Sequence, residues 1–174
     1  MSVITVEFAN FTRFPIDAEA VTRLLGGVLA GEGVAAGELG VRFVGERRMR
    51  DLNRDFLGHD EVTDVLAFPL EEHGDDGRPM NDDTVVFGRD GDTSDDLTAR
   101  ELPRLLGDVV VCPRRAAAQA RAAGTPLAFE VAMLLVHGTL HVLGYDHEAD
   151  AGEMALRQAR YLEDAGWEHL LGEA

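Results

Sequence analysis

One run of eleven residues, His137-Gly138-Thr139-Leu140-His141-Val142-Leu143-Gly144-Tyr145-Asp146-His147, limits what this chain can be more than any other stretch. His137 and His141 are four apart, so on a helix their rings stack on one face, a turn above one another. Gly144 is the natural stop for that helix, because glycine takes a left-handed backbone at no steric cost. The chain then turns back and brings His147 towards the same point. A histidine pair at this spacing arises by chance fairly often; a third histidine beyond a helix-stopping glycine does not. Three of the six histidines fall in this run. Three neutral imidazoles aimed at one spot make an open metal site, with a fourth position left for water or substrate.

Composition narrows the setting. At 174 residues the chain fits one domain, read here as residues 1–174, long enough to bury a sizeable core. Its single Cys excludes an intramolecular disulfide and a cysteine-based zinc framework, as expected in a reducing cytoplasm. The start, Met1-Ser2-Val3-Ile4-Thr5, has neither the basic residues nor the long apolar core of a signal peptide. The apolar run at 131–136 is far too short to span a bilayer. A soluble, cytoplasmic protein is expected. The net charge of −16 argues against general nucleic-acid affinity, since phosphates need cations. The charge is uneven, however. Half of it sits in residues 71–101, where eleven carboxylates face three Arg, while residues 41–57 carry five Arg against three carboxylates. All 16 basic residues are Arg, the better bidentate phosphate ligand.

The remaining elements follow from periodicity and punctuation. Ile4-Thr5-Val6-Glu7-Phe8 alternates and predicts a first strand. Asp17 caps a helix whose Ala20, Val21, Leu24, Leu25 and Val28 face inward, fading into Gly31-Glu32-Gly33. Residues 39–44 form a second strand. Residues 46–56 form a short helix with Met49, Leu52 and Phe56 inward and Arg outward, ended by Gly58. Residues 63–69 form a third strand, stopped by Pro69. Asp64 within it is either at a solvated strand end or pointing into a site. Residues 71–104 are acidic and rich in glycine, and are expected to be a flexible insertion. Residues 106–113 read as the clearest strand, buried on both faces, with Cys112 a small buried apolar residue. An Ala-rich helix over 114–123 ends at Gly124. Pro126 opens the histidine-bearing helix, which should be central and buried. Asp150 is expected to cap a last helix carrying Met154, Leu156, Tyr161 and Leu162. The order predicts an α+β domain: a small mixed sheet packed with helices, one of them zinc-bearing.

The histidine offsets resemble those of the metzincin proteases, which implies a metallopeptidase as one reading. Those enzymes carry a Glu after the first His, as general base; here that position is Gly138. The fuller resemblance is to the YbeY family of single-strand-specific metallo-endoribonucleases. His137-Gly138-x-Leu140-His141-x-x-Gly144-Tyr145-Asp146-His147 reads almost letter for letter as that family's signature, and this selects RNA over peptide. Thr63-Asp64-Val65-Leu66-Ala67-Phe68-Pro69, Leu106-Gly107-Asp108 with Cys112, and Leu52-Asn53 resemble the family as well. The likeness covers nearly the whole chain outside the acidic stretch. There are two departures. Leu57 stands where many members have an Arg associated with RNA cleavage, and Val62 replaces a Pro.

The resemblance implies one Zn2+ ion held by His137, His141 and His147, and a role in maturing the 3′ end of small-subunit (16S) ribosomal RNA and in ribosome quality control. Implied partners are single-stranded ribosomal RNA, ribosomal proteins and an Era-type GTPase. Asp64, Asp146 and Glu148 are candidates for fixing the imidazoles from behind. Arg50 and Arg54 are candidate RNA contacts in place of the missing Arg. The alternatives are a zinc metallopeptidase, or a ribosome-assembly factor whose metal is structural.

Overall fold

The computed structural model describes residues 3–70, 104–146, 151–163 and 166–172. The acidic stretch over 71–103, read above as a flexible insertion, lies outside the described residues, as do His147, Glu148 and Asp150. The elements run β1 (Ile4–Asn10), α1 (Ala18–Gly31), β2 (Gly37–Phe43), α2 (Glu46–Leu57), β3 (Val65–Pro69), β4 (Leu105–Val111), α3 (Pro113–Ala123), α4 (Leu127–Val142) and α5 (Glu153–Glu163). The strands make one mixed sheet in the order β1-β2-β4-β3. The first three are mutually parallel, and β3 runs antiparallel to β4 at the edge. The expected α+β architecture with a small mixed sheet is what forms.

Alternation along the strands sorts the core into two layers. Leu39, Val41 and Phe43 of β2, with Val109 and Val111 of β4, pack on one face against α1 and α4. Leu66, Val110 and Cys112 meet Met49 of α2 and Val44 on the other. Val109, Val110 and Val111 are all buried, so β4 is covered on both sides as its apolar run predicts. Asp17 caps α1 as expected, its Oδ1 accepting from the Ala20 amide at 2.8 Å. Gly58 and Gly124 end α2 and α3 with left-handed backbone. Two inward assignments are corrected. Phe56 is 66% exposed, at the last turn of α2, with its ring edge-on to Phe68 at 5.1 Å. Leu156 is 75% exposed, because α5 buries the stripe of Met154 and Leu162 instead.

α4 is the pivot of the upper layer. Eleven of its sixteen residues are buried. It lies tight against the sheet at Gly138, where an added Cβ would stand 2.7 Å from a Val109 methyl and 3.1 Å from one of Val65. Only a residue without a side chain lets helix and sheet come this close.

A buried carboxylate ties α1 to the end of α4 and to α5. Glu32, just past α1, has a side chain only 5% exposed. It accepts from the Tyr145 hydroxyl and the Tyr161 hydroxyl, each at 2.6 Å, and from Arg157 Nη1 at 3.1 Å. Arg157 also pairs with Glu153 at 2.7 Å and lies over the Tyr145 ring, 5.0 Å from its centre. Burial alone would push the Glu32 carboxyl up, but these hydrogen bonds outweigh it and hold its pKa below the ordinary glutamate value. Tyr145 and Tyr161 are pushed up to about 12, by burial first and then by donating to the carboxylate.

Gly138→Ala is expected to lower stability by about 1–3 kcal/mol through overpacking, although alanine is the better helix former. Gly27→Ala, in α1 with nothing within 4 Å of an added Cβ, is expected to raise it by about 0.5–1 kcal/mol; urea midpoints check both. Because the Glu32 pKa is depressed on folding, its contribution is complete above the ordinary carboxylate range and is lost as pH falls through the folded value. Glu32→Gln should therefore lower the thermal midpoint at neutral pH, the gap from the parent closing below about pH 4.

Candidate metal centre

The last two turns of α4 carry His137 and His141, and the i, i+4 spacing places both rings on one side of the helix. Their Nε2 atoms are 3.1 Å apart, with ring centres 4.6 Å apart and planes at 79°. Both rings are partly buried, and they open onto a groove of about 310 Å3. Its other walls are the edge strand β3 (Val65, Leu66, Ala67, Pro69), Gly138 and Leu57 of α2. Among the described lining residues there is no carboxylate.

α4 ends as the sequence predicts. Gly144 has φ +93°, its amide donates to the His141 carbonyl at 3.0 Å, and the Tyr145 amide donates to the Leu140 carbonyl at 3.0 Å. This pair of bonds closes the helix and reverses the chain. Tyr145 then anchors the turn through its hydroxyl, which donates to Glu32. His147 comes two residues later and is outside the described residues, as is Glu148. The described residues accordingly hold no set of three metal-ligating side chains.

One described group stands behind the rings of the pair. Gln158 of α5 holds His137, its Oε1 lying 3.0 Å from His137 Nδ1. Asp64 does other work: Oδ1 accepts from the Val65 amide at 2.8 Å and Oδ2 from Gln119 Nε2 at 2.6 Å, joining the start of β3 to α3. β3 does line the groove, but through its apolar side chains. Glu130, buried near Asp64, has its pKa raised by burial and then by the Asp64 charge. Asp146 is exposed after the turn.

The two candidate RNA-binding arginines are surface residues of α2 in ion pairs. Arg50 grips Asp60 with two bonds of 2.8 Å, and Arg54 meets Asp55 at 3.0 Å and Asp51 at 3.3 Å. The α2 side chain lining the groove is Leu57, 56% exposed. Buried Asn53 donates to the Glu61 carbonyl at 3.0 Å, which fixes the loop leaving α2. Asp108 pairs with Arg42 on the far side of the sheet, beside a separate, largely apolar cavity of about 740 Å3.

Sequence reasoning missed Gln158 and Glu32. A signal for Gln158 existed: it interrupts the i, i+4, i+8 stripe of Met154 and Leu162 with a polar group. Glu32 gave none, sitting between two glycines in what reads as a fading helix.

Comparison with known proteins places this geometry. The sequence profile of the family described as Endoribonuclease YbeY matches residues 10–166. The Endoribonuclease YbeY of Chloroflexus aggregans is 39% identical over 157 residues, 90% of each chain. That of Salinispora tropica is 38% identical over 167 residues, covering 94% of this chain and 96% of its own. The solution structure of TM1509 from Thermotoga maritima superposes with a TM-score of 0.57 at 25% identity, over 96% of this chain and 91% of that one. With the match running through the sheet, the histidine helix and the turn after it, this chain belongs to the YbeY endoribonuclease family.

Proposed function

We propose that this protein is a metal-dependent endoribonuclease that cuts single-stranded RNA, in maturation of the 3′ end of small-subunit (16S) ribosomal RNA and in ribosome quality control. The observation that carries the reading is the pair of imidazole Nε2 atoms, 3.1 Å apart at the mouth of an open groove. Two ligand nitrogens about 2.0–2.1 Å from a tetrahedral zinc stand roughly 3.3 Å from one another, so this pair fits one ion. His137 and His141 would hold it with His147, and one Zn2+ is the proposed cofactor. When bound, such an ion supplies Lewis acidity towards a phosphoryl oxygen and a nucleophile at neutral pH.

The chain's own residues then do the rest. Gly138 keeps α4 against the sheet, so both rings stay beside β3. Val65, Ala67 and Pro69 give the groove a dry wall. No described lining residue is a carboxylate that would repel an incoming phosphate at close range. Arg50 and Arg54 would take flanking phosphates by exchanging their aspartate partners. Asp146 and Glu148 remain candidates for the groups behind the third ligand. The proposed setting is the cytoplasm, with ribosomal RNA, ribosomal proteins and an Era-type GTPase as partners; a single domain with an acidic insertion at 71–104 is proposed with it. No helix among the described residues is by itself long and apolar enough to cross a membrane.

The metallopeptidase alternative needs a carboxylate base beside the metal. Gly138 stands at the position that supplies it in metzincins, and a side chain there would run into Val109. One observation favours an assembly factor with a structural metal: apolar, exposed Leu57 on the groove wall.

Purified protein should cut an unstructured RNA in a chelator-sensitive way, with activity restored by zinc, while casein is left intact. His141→Ala should remove at least about 100-fold of the rate. Chelator-insensitive or absent cleavage by the parent protein, with ribosomal RNA processing in cells rescued by His141→Ala, would leave the assembly-factor reading. Leu57→Arg should tighten RNA binding and add about 0.7 to the slope of log affinity against log salt, the share of one phosphate contact on a single strand.

A further inference from the structure

α5 reaches the histidine pair through one side chain. Gln158 lies on the inner stripe of α5 with Met154 and Leu162, both buried, yet it is polar. Its Oε1 faces His137 Nδ1 at 3.0 Å. The adjacent residue, Arg157, bonds Glu32, which ties the helix backbone beside Gln158 to the end of α1. An amide oxygen only accepts, so the ring nitrogen facing it must carry the proton. His137 Nε2 is then left with its lone pair, and it points at His141 Nε2.

We propose that Gln158 is a positioning residue that holds His137 in the Nδ1–H tautomer, so that Nε2 is ready to receive a divalent cation before any cation arrives. Without a partner at Nδ1, a solvated histidine favours the opposite, Nε2–H form. Gln158 therefore selects the tautomer that can bind and fixes the plane of the ring. The inference rests on the metal-binding reading for its purpose, but the tautomer belongs to the metal-free protein and is measured independently.

The test is a long-range proton–nitrogen correlation spectrum of protein labelled with nitrogen-15 histidine, free of metal and at about pH 8, well above the ordinary imidazole pKa. In the parent protein, His137 should show a protonated Nδ1 and a bare Nε2. Gln158→Glu keeps an acceptor and should keep that pattern. Gln158→Leu should move His137 to the Nε2–H form and weaken zinc binding by about 10–100-fold in chelator competition, with the metal-free thermal midpoint little changed. A parent His137 already in the Nε2–H form overturns the proposal, and this holds even if the Leu variant fails to fold. So does a Leu variant with unchanged tautomer and unchanged zinc affinity. A parent protein that shows the Nδ1–H form but binds no zinc refutes the metal reading and leaves the tautomer assignment standing.

Discussion

The fold turns on how closely α4 lies against the sheet. At Gly138 there is no room for a Cβ between the helix and the side chains of Val109 and Val65. That single contact fixes the helix in depth, and the depth decides where His137 and His141 emerge. One residue before Gly138 and three after it, the two rings clear the edge of β3 and face the groove with Leu57 on its far side. A larger residue at 138 would lift the helix, and the imidazoles would lose their relation to the wall. The glycine that removes a protease-like base from the motif is thus the one that seats the site. Chemistry and packing both ask for it, for different reasons.

The second constraint works at a distance. A carboxylate that is only 5% exposed is costly unless its lone pairs are met, and Glu32 meets them with two phenols and a guanidinium drawn from two separate segments. Tyr145 belongs to the turn after α4, and Tyr161 and Arg157 belong to α5. Removing the charge leaves three donors converging on nothing, so the cluster specifies geometry more than it adds stability. What it specifies is the turn at Tyr145 from one side and the placing of Gln158 from the other.

Legibility in the sequence followed this division between local and long-range causes. The helix cap at Asp17, the stops at Gly58, Gly124 and Gly144, and the burial of β4 are set by residues within a few positions, and they were readable. The pairing of His137 with His141 was readable for the same reason, since helical periodicity alone brings them together. Phe56 and Leu156 were misassigned because periodicity marks a stripe without saying where its edge falls, and both lie just past it. Asp64 read as either a solvated strand end or a residue pointing into a site; its partner, Gln119, is 55 positions away and that contact depends on how α3 meets the start of β3. Gln158 and Glu32 act across 21 and 113 residues respectively, separations at which no local pattern speaks.

An acidic chain in a nuclease family is less contradictory than its net charge of −16 suggests. Screening confines a surface charge to about 8–10 Å at physiological salt, so an approaching phosphate responds to the groove wall and little beyond it. Half of the net charge belongs to residues 71–101. The described lining is apolar apart from the two imidazoles. A site of this kind has little attraction of its own for RNA, and on the proposed reading its affinity must come from a bound cation and from nearby arginines. Those arginines are ion-paired in the free protein, so each phosphate contact exchanges one anion for another and yields less than a free cation would. Binding should then be weak and tolerant of sequence, with selectivity coming from which strand is accessible. That suits an enzyme acting on exposed single strands better than one that must hold a duplex.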